Sequence, residues 1–519
     1  IDTLQASEPG LPLRVVELVA RDKACEHPDR ACHGESCPLA AGFYDRLPQA
    51  REAAVERTRL TSNALREIAL AHQVCPYYLS QEMARWCDIV VGDYNYFYDG
   101  SALLHALTVE NQWRVAVLVD EAHNLVDRAR GMYSAELDQA QLGLLRSQAH
   151  PVLKKPLDRL QRAWNALAKE MPGDYTVQPE VPAKFVSALQ DTTGAIADLL
   201  SEEPGAGSSE LLRFHFDALH FTRLAESFGD HSLFDVTRKI GGGRQRGGRI
   251  NAALCIRNVI PAPFLEPRFA AAHSTVLFSA TLTPQRFYAD TLGLPEDTAW
   301  LDVEAPFEAE QLSVRIVRHV STRFRDRRAS LGPIAELMAG EYESRPGNYL
   351  AFFSSFDYLD QVAEAFATRA AHIPTWHQTR KMDEIERARF LERFTPDSRG
   401  IGFAVLGGSF AEGIDLPGTR LIGAFIATLG LPQVNPVNEE MRRRLEAAFG
   451  AGHDYAYLFP GIRKVVQAAG RVIRSPTDRG SVHLIDDRFA RSEVIRLLPA
   501  WWRWSLASRP AAVTPGSLT

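Results

Sequence analysis

No run in this 519-residue chain approaches the roughly 18 consecutive apolar residues of a membrane span. The apolar stretch "LIGAFIATLGL" (421–431) falls short of that length and reads as a buried strand. No signal-like segment opens the sequence, and no initiator methionine precedes Ile1. These absences predict a soluble, cytoplasmic protein with no membrane partner. A global basic field is missing too, since 58 Lys and Arg face 64 Asp and Glu, for a net charge of −6. Any nucleic-acid contact must then come from local patches such as "RKIGGGRQRGGRI" (238–250), which reads equally well as a solvated loop. No internal repeat is evident, and no two cysteines show the paired C-x-x-C spacing.

What is present has the composition of a soluble globular protein, and the length exceeds one core, so three to four domains are expected. Six apolar segments predict strands buried on both faces of parallel sheets. They are "DIVVGDY" (88–94), "VAVLVDEAH" (115–123), "STVLFSATL" (274–282), "YLAFFSS" (349–355), "GFAVLGGSF" (402–410) and "SVHLIDD" (481–487). Helical patterns such as "MDEIERARFLERF" (382–394) separate them, which means α/β layers. Between about 127 and 245 the strand pattern disappears, and amphipathic segments predict a mostly helical insertion. The tail after 505 reads as disordered.

The second of those strands runs into two adjacent carboxylates, Asp120 and Glu121, with His123 just beyond. Ligands of open α/β sheets bind beyond the carboxyl ends of the strands. A carboxylate there can hold Mg²⁺, and its neighbour can orient a hydrolytic water. Standing alone, the pair reads equally well as the cap of the next helix. It is joined by "SAT" (279–281), by the glycine-rich "GGSFAEGIDLPG" (407–418) and by "QAAGRVIRSPTDRG" (467–480). In the last of these, Arg471 and Arg474 lie three apart, on one face if the segment is helical. Two arginines aimed at phosphate would stabilise charge in phosphoryl transfer. The strands at 115–119 and 275–279 are expected to be neighbours in one parallel sheet.

In that order, "VLVDEAHN", "LFSATL", "GSFAEGIDLPG" and "QAAGRVIRSPTDRG" resemble motifs II, III, V and VI of superfamily 2 helicases, in wording closest to the DinG/XPD-like iron–sulfur DNA helicases. The resemblance runs from about residue 20 to 505. It implies two RecA-like motor domains and ATP-driven 5′-to-3′ translocation on single-stranded DNA, in repair or replication. The implied partners are single-stranded DNA and forked or duplex DNA with a 5′ overhang, met by a monomer. By the resemblance Asp120 holds Mg²⁺, Glu121 positions the attacking water, and His123 couples the nucleotide site to motif VI through Gln467. Arg471 and Arg474 reach the γ-phosphate of ATP, while Gly413 and Asp415 belong to the motif V contacts.

Five of six cysteines fall in the first fifth of the chain, a pattern that suggests metal binding over disulfides. Cys25, Cys32, Cys37 and Cys75 could hold either a [4Fe–4S] cluster or a tetrahedral zinc, with His27 and His33 as further zinc ligands. The family resemblance favours the iron–sulfur cluster, with "CPY" at Cys75 as its last ligand. Cys87 and Cys255 read as structural.

The family's phosphate-binding loop, G-x-x-x-x-G-K-[ST], is absent, and no lysine in the chain follows a glycine. The expectation is a first motor domain lacking its N-terminal part, and a chain inactive as an ATPase by itself. The expected layout is a motor remnant (1–19), an iron–sulfur domain (20–87), motor domain one (88–126 and 246–294) around a helical arch (127–245), motor domain two (295–495) and a tail (496–519). The alternative from another class is a non-catalytic DNA-binding iron–sulfur protein derived from a helicase.

Overall fold

Parallel strand pairs organise both halves of the computed structural model, which describes every residue except 1, 9, 31, 241–249, 409, 411–413 and 508–519. The chain divides into two units, Ile1–Ala280 with Tyr288–Glu296, and Thr281–Phe287 with Asp297–Thr519.

In the first unit, Val15–Glu17 (β1), Arg59–Leu60 (β2) and Ile89–Val91 (β3) form a parallel sheet in the order β2-β1-β3. Val16 and Leu18 share one apolar core with Ala50, Leu65, Ile68, Leu79 and Met83. The helices Phe43–Val55, Ser62–Ala71 and Pro76–Met83 are therefore anchored to β1 by burial rather than standing as a separate body.

Ala116–Val119 (β4) pairs in parallel with Ser274–Leu277 (β9), with Val117 opposite Thr275, as the sequence predicts. Between them lie Ala135–Asp138 (β5), Tyr175–Gln178 (β6), Ser232–Ile240 (β7) and Ile250–Asn258 (β8). These form an antiparallel sheet, order β5-β8-β7-β6, with the helices Lys154–Lys169, Ala183–Glu202 and Ser209–Glu226. The mostly helical insertion thus also contains a sheet, and β8, expected in the motor domain, pairs with β7 along nine residues. The polar interruptions that hid this hairpin are a cross-strand pair. Buried Asp235 accepts from Arg257 Nε at 2.9 Å, so a charge in an apolar run is neutralised by its neighbour strand.

The reading of strands buried on both faces fails in this unit. Val91, Leu118 and Val276 are 48%, 69% and 51% exposed. Each belongs to an edge strand among the described residues, so fewer neighbours cover it.

In the second unit the reading holds for the strands it named, at 348–353, 400–405, 423–427 and 480–485. Leu312–Val317 (β10), Asn348–Phe353 (β11), Thr375–His377 (β12), Gly400–Val405 (β13), Gly423–Ala427 (β14), Gly480–Ile485 (β15) and Trp504–Leu506 (β16) form one parallel sheet, order β12-β13-β11-β14-β15-β10-β16. Strand side chains alternate between faces. Leu350 and Phe352 enter one core, and Tyr349, Ala351 and Phe353 enter the other. β16 pairs with β10, so the expected tail from 496 begins with ordered structure. Among the described residues no helix is long and apolar enough to cross a membrane.

One buried contact between a carboxylate and an imidazole ties that sheet to the helix Arg327–Ser344. The His483 imidazole beside Glu341, with Nε2 at 3.3 Å from Oε2, holds the carboxyl down to about 2 against the opposing effect of burial. Ser481 and Arg315 also favour the carboxylate. A carboxyl depressed by folding stabilises the fold above its ordinary pKa, and this is lost as pH falls toward the folded value. Glu341→Gln should lower unfolding free energy at pH 7 by roughly 2–3 kcal/mol. In chemical denaturation the gap between variant and parent should narrow from pH 4.5 downward. A gap that does not change with pH would remove the carboxylate as its source.

Candidate functional site

The apolar strand β4 ends at buried Val119, and the chain then turns sharply, placing Asp120 and Glu121 in the open. Glu121 adopts a left-handed conformation, φ 46° and ψ 42°, uncommon for a residue with a Cβ. Its N–H donates to Asp120 Oδ1 at 2.7 Å, and the Ala122 N–H donates to the Phe278 carbonyl at 3.1 Å. Burial of Leu125, Val126 and Ala129 in the following helix, Leu125–Met132, fixes where the turn must end.

Because β4 and β9 are adjacent, the acidic segment meets "SAT". Buried His123 places Nδ1 2.6 Å from Ser279 Oγ and 3.2 Å from Glu121 Oε2. Ser279 Oγ donates to Glu121 Oε2 at 3.4 Å. A histidine, a hydroxyl and a carboxylate thus close a triangle behind an exposed acidic pair. Tyr94, which no motif contains, also reaches this turn: its hydroxyl donates to the carbonyls of Asp120 at 2.5 Å and Glu121 at 2.9 Å. The sequence signal for it was its place just after β3, at a strand's carboxyl end.

In the second unit, Gln467 sits half-buried on the helix Phe459–Ala469, which ends at Gly470. Arg471 and Arg474 therefore lie beyond the helix, and the expectation of a shared helical face is corrected. They converge by another route. Arg471 Nη1 and Arg474 Nη2 each donate to the Ile414 carbonyl at 3.0 Å, and Arg474 Nε lies 3.4 Å from Asp415 Oδ1. Gly413 lies outside the described residues.

Buried Asp478 holds the arginine loop in place, accepting from the N–H groups of Arg474 and Ser475 at 2.7 and 2.8 Å. Burial pushes its carboxyl up, but those bonds and the Ser475 hydroxyl outweigh it and hold the pKa below the ordinary value. Gln311 Nε2 donates to the carbonyls of Ser475, Pro476 and Asp478, at 3.3, 3.0 and 2.9 Å.

Cys75 caps the helix Pro76–Met83. Burial raises its thiol pKa, the backbone N–H groups of Tyr77 and Tyr78 lower it, and charge on Cys25 and Cys32 raises it again. Charge on Cys25 and on Cys32 thus reaches Cys75. Among the described residues, however, no three His, Cys, Asp or Glu side chains are grouped closely enough to hold a metal ion. Neither the four-thiolate site nor its zinc alternative is assembled. Cys255 is buried in β8, and Cys87 is half-buried, its thiol pushed up to about 11 first by burial and then by Asp88.

Arg46 brings the loop after Cys37 to the loop before Cys75. Its guanidinium donates to the carbonyls of Pro38 at 3.4 Å, Ala41, and Gln73 at 2.7 Å. Arg46→Ala should cost on the order of 1–3 kcal/mol locally. Hydrogen exchange should then quicken in 37–42 and 72–75, while the second unit's strands keep their protection. Unchanged exchange in both loops would show that the clamp is not what joins them.

Two family models match the chain, DEAD_2 over residues 14–142 and a helicase C-terminal domain over 340–505. The chain is 23% identical to the regulator of telomere elongation helicase 1 homolog of Anopheles gambiae, over 94% of this chain and 60% of the relative. It is 24% identical to the general transcription and DNA repair factor IIH helicase subunit XPD of Dictyostelium discoideum, over 84% and 66%. With ATP-dependent helicase DinG of Mycobacterium tuberculosis the identity is 29%, over 76% and 62%. The chain thus spans less than two thirds of the length of these relatives. Among solved structures, an XPD helicase superposes with a TM-score of 0.61 at 16% identity, covering 98% of this chain and 88% of that one. The S. tokodaii Xpd4 structure gives 0.54 at 14%, covering 98% of each. The two family models and the relatives, with the shared parallel-sheet, RecA-like fold, make this chain similar to the DinG/XPD-like superfamily 2 helicases.

Proposed function

We propose that this protein is an ATP-dependent DNA helicase that moves 5′ to 3′ on single-stranded DNA and opens forked or 5′-overhang duplexes in repair or replication. The observation that carries the reading is the closed triangle of Glu121, His123 and Ser279 behind Asp120 at a strand's carboxyl end. Two exposed carboxylates with one oriented from behind suit a metal-bound triphosphate and its attacking water. Mg²⁺, when bound, neutralises charge on the phosphates. Asp120 would hold it, Glu121 would orient the water, and His123 would fix Glu121. In the second unit Arg471 and Arg474, with Asp415 beside Arg474, would meet the γ-phosphate, the role that the resemblance gives to motif VI together with Gln467.

The 519 residues contain no glycine–lysine loop for the β- and γ-phosphates, and no ATP hydrolysis is expected from them unaided. That same feature favours the second reading, a DNA-binding protein without turnover. Joined to such a loop, the protein should show ATPase activity stimulated by single-stranded DNA, and Arg471→Ala should reduce it roughly 10³-fold with DNA affinity kept. Activity that survives Arg471→Ala would take that residue off the catalytic list. DNA affinity with no ATPase under any condition would leave the second reading in place. DNA binding itself should weaken steeply with salt, as counterion release requires.

For the cysteines we propose a [4Fe–4S] cluster on Cys25, Cys32, Cys37 and Cys75, with a structural task. The support is that charge on Cys25 and Cys32 reaches Cys75 at the start of the helix Pro76–Met83, although burial raises the Cys75 thiol in the metal-free chain. Anaerobically purified protein should carry about four irons with broad absorbance near roughly 400 nm, and Cys75→Ser should lose most of both. Stoichiometric zinc without colour would overturn the iron assignment.

A further inference from the structure

We infer that Tyr94 is a positioning residue for the acidic pair, a staple that holds the Asp120–Glu121 turn against the β2-β1-β3 sheet. The inference rests on the proposed role of that pair in ATP hydrolysis. β4 carries the turn, yet among the described residues it pairs with β9 alone, and Leu118 and Val276 are largely exposed. A two-stranded sheet is a weak platform by itself. The three-stranded sheet has an apolar core beneath it, but among the described residues no hydrogen-bonded ladder joins its strands to β4 or β9.

Tyr94 spans that gap. It leaves the carboxyl end of β3, and its own carbonyl is fixed by the N–H groups of Phe97 and Tyr98 at 3.1 and 2.8 Å. Its hydroxyl then meets two successive carbonyls, those of Asp120 and Glu121. The left-handed backbone at Glu121 brings both carbonyls within reach of one donor, and such a conformation persists only where neighbours hold it. The ring is gripped from the other side by the same segment. Arg128, one turn into the following helix, places its guanidinium 5.9 Å from the ring centre while pairing with Asp93 and donating to Asn95 Oδ1 at 3.3 Å. Segment 120–128 thus clasps Tyr94 at both ends.

Burial pushes the phenol up to about 12, and the carboxylates of Glu121 and Asp120 add to the shift. The hydroxyl donates to two backbone carbonyls, so its task is to hold backbone. A displacement of about 1 Å in a catalytic group can lower rate by as much as 10²-fold.

Tyr94→Phe removes only the hydroxyl. In the 519-residue chain, hydrogen exchange over 119–126 should quicken at least tenfold, while 15–18 and 348–353 keep their protection and the melting temperature barely moves. In the loop-bearing, ATP-hydrolysing form, kcat should fall about tenfold or more at unchanged KM for ATP and unchanged DNA affinity. Unaltered exchange at 119–126, or a rise spread over the whole first unit, overturns the staple. Absence of ATPase in the parent protein would overturn the proposed function, with the exchange result still deciding the role of Tyr94.

Discussion

Register between two short strands decides where the chemistry of the first unit can sit. Val117 lies opposite Thr275 and Val119 opposite Leu277, so the two chains leave the ladder side by side. One residue of slip would send each side chain to the other face. His123 would then lose Ser279, and Glu121 would lose both partners. More than 150 residues of sequence separate the two strands, and the antiparallel sheet with its helices fills that interval. The insertion must therefore return the chain to within one hydrogen-bond spacing of where it left.

The second unit solves a similar problem with loops. The helix ends at Gly470, and the loop beyond it brings both arginines to one carbonyl. Asp478 then accepts from two N–H groups of the loop, and Gln311 donates to three of its carbonyls. Buried polar groups of this kind are expensive to leave unmet, so the loop has few other conformations open to it.

Much of this was legible in the sequence where function depends on contiguous residues. The acidic pair, the serine at 279 and the arginines at 471 and 474 could be read because each lies at the end of an apolar run or beside glycine. β11, β13, β14 and β15 were legible for the same reason, being buried on both faces, whereas β10, with its alternating exposure, β12 and the exposed β16 were not. The β7–β8 hairpin was not, because Asp235 and Arg257 neutralise each other only once the strands pair. Exposure of Val91, Leu118 and Val276 was hidden for a related reason, since apolar character reports what a strand prefers and not which neighbours it has. Arg46 and Tyr94 act by contacting carbonyls, and backbone acceptors carry no sequence signature.

The double core of the second unit has a consequence for how substitutions combine. Along β11, Leu350 and Phe352 answer to one set of packing partners, while Tyr349, Ala351 and Phe353 answer to another. Coupling between substitutions follows shared partners more than nearness in sequence. Adjacent positions on this strand should therefore vary almost independently, and positions two apart should constrain each other. Drift in the strand would leave a two-residue rhythm of covariation, with each face of the sheet keeping its own history.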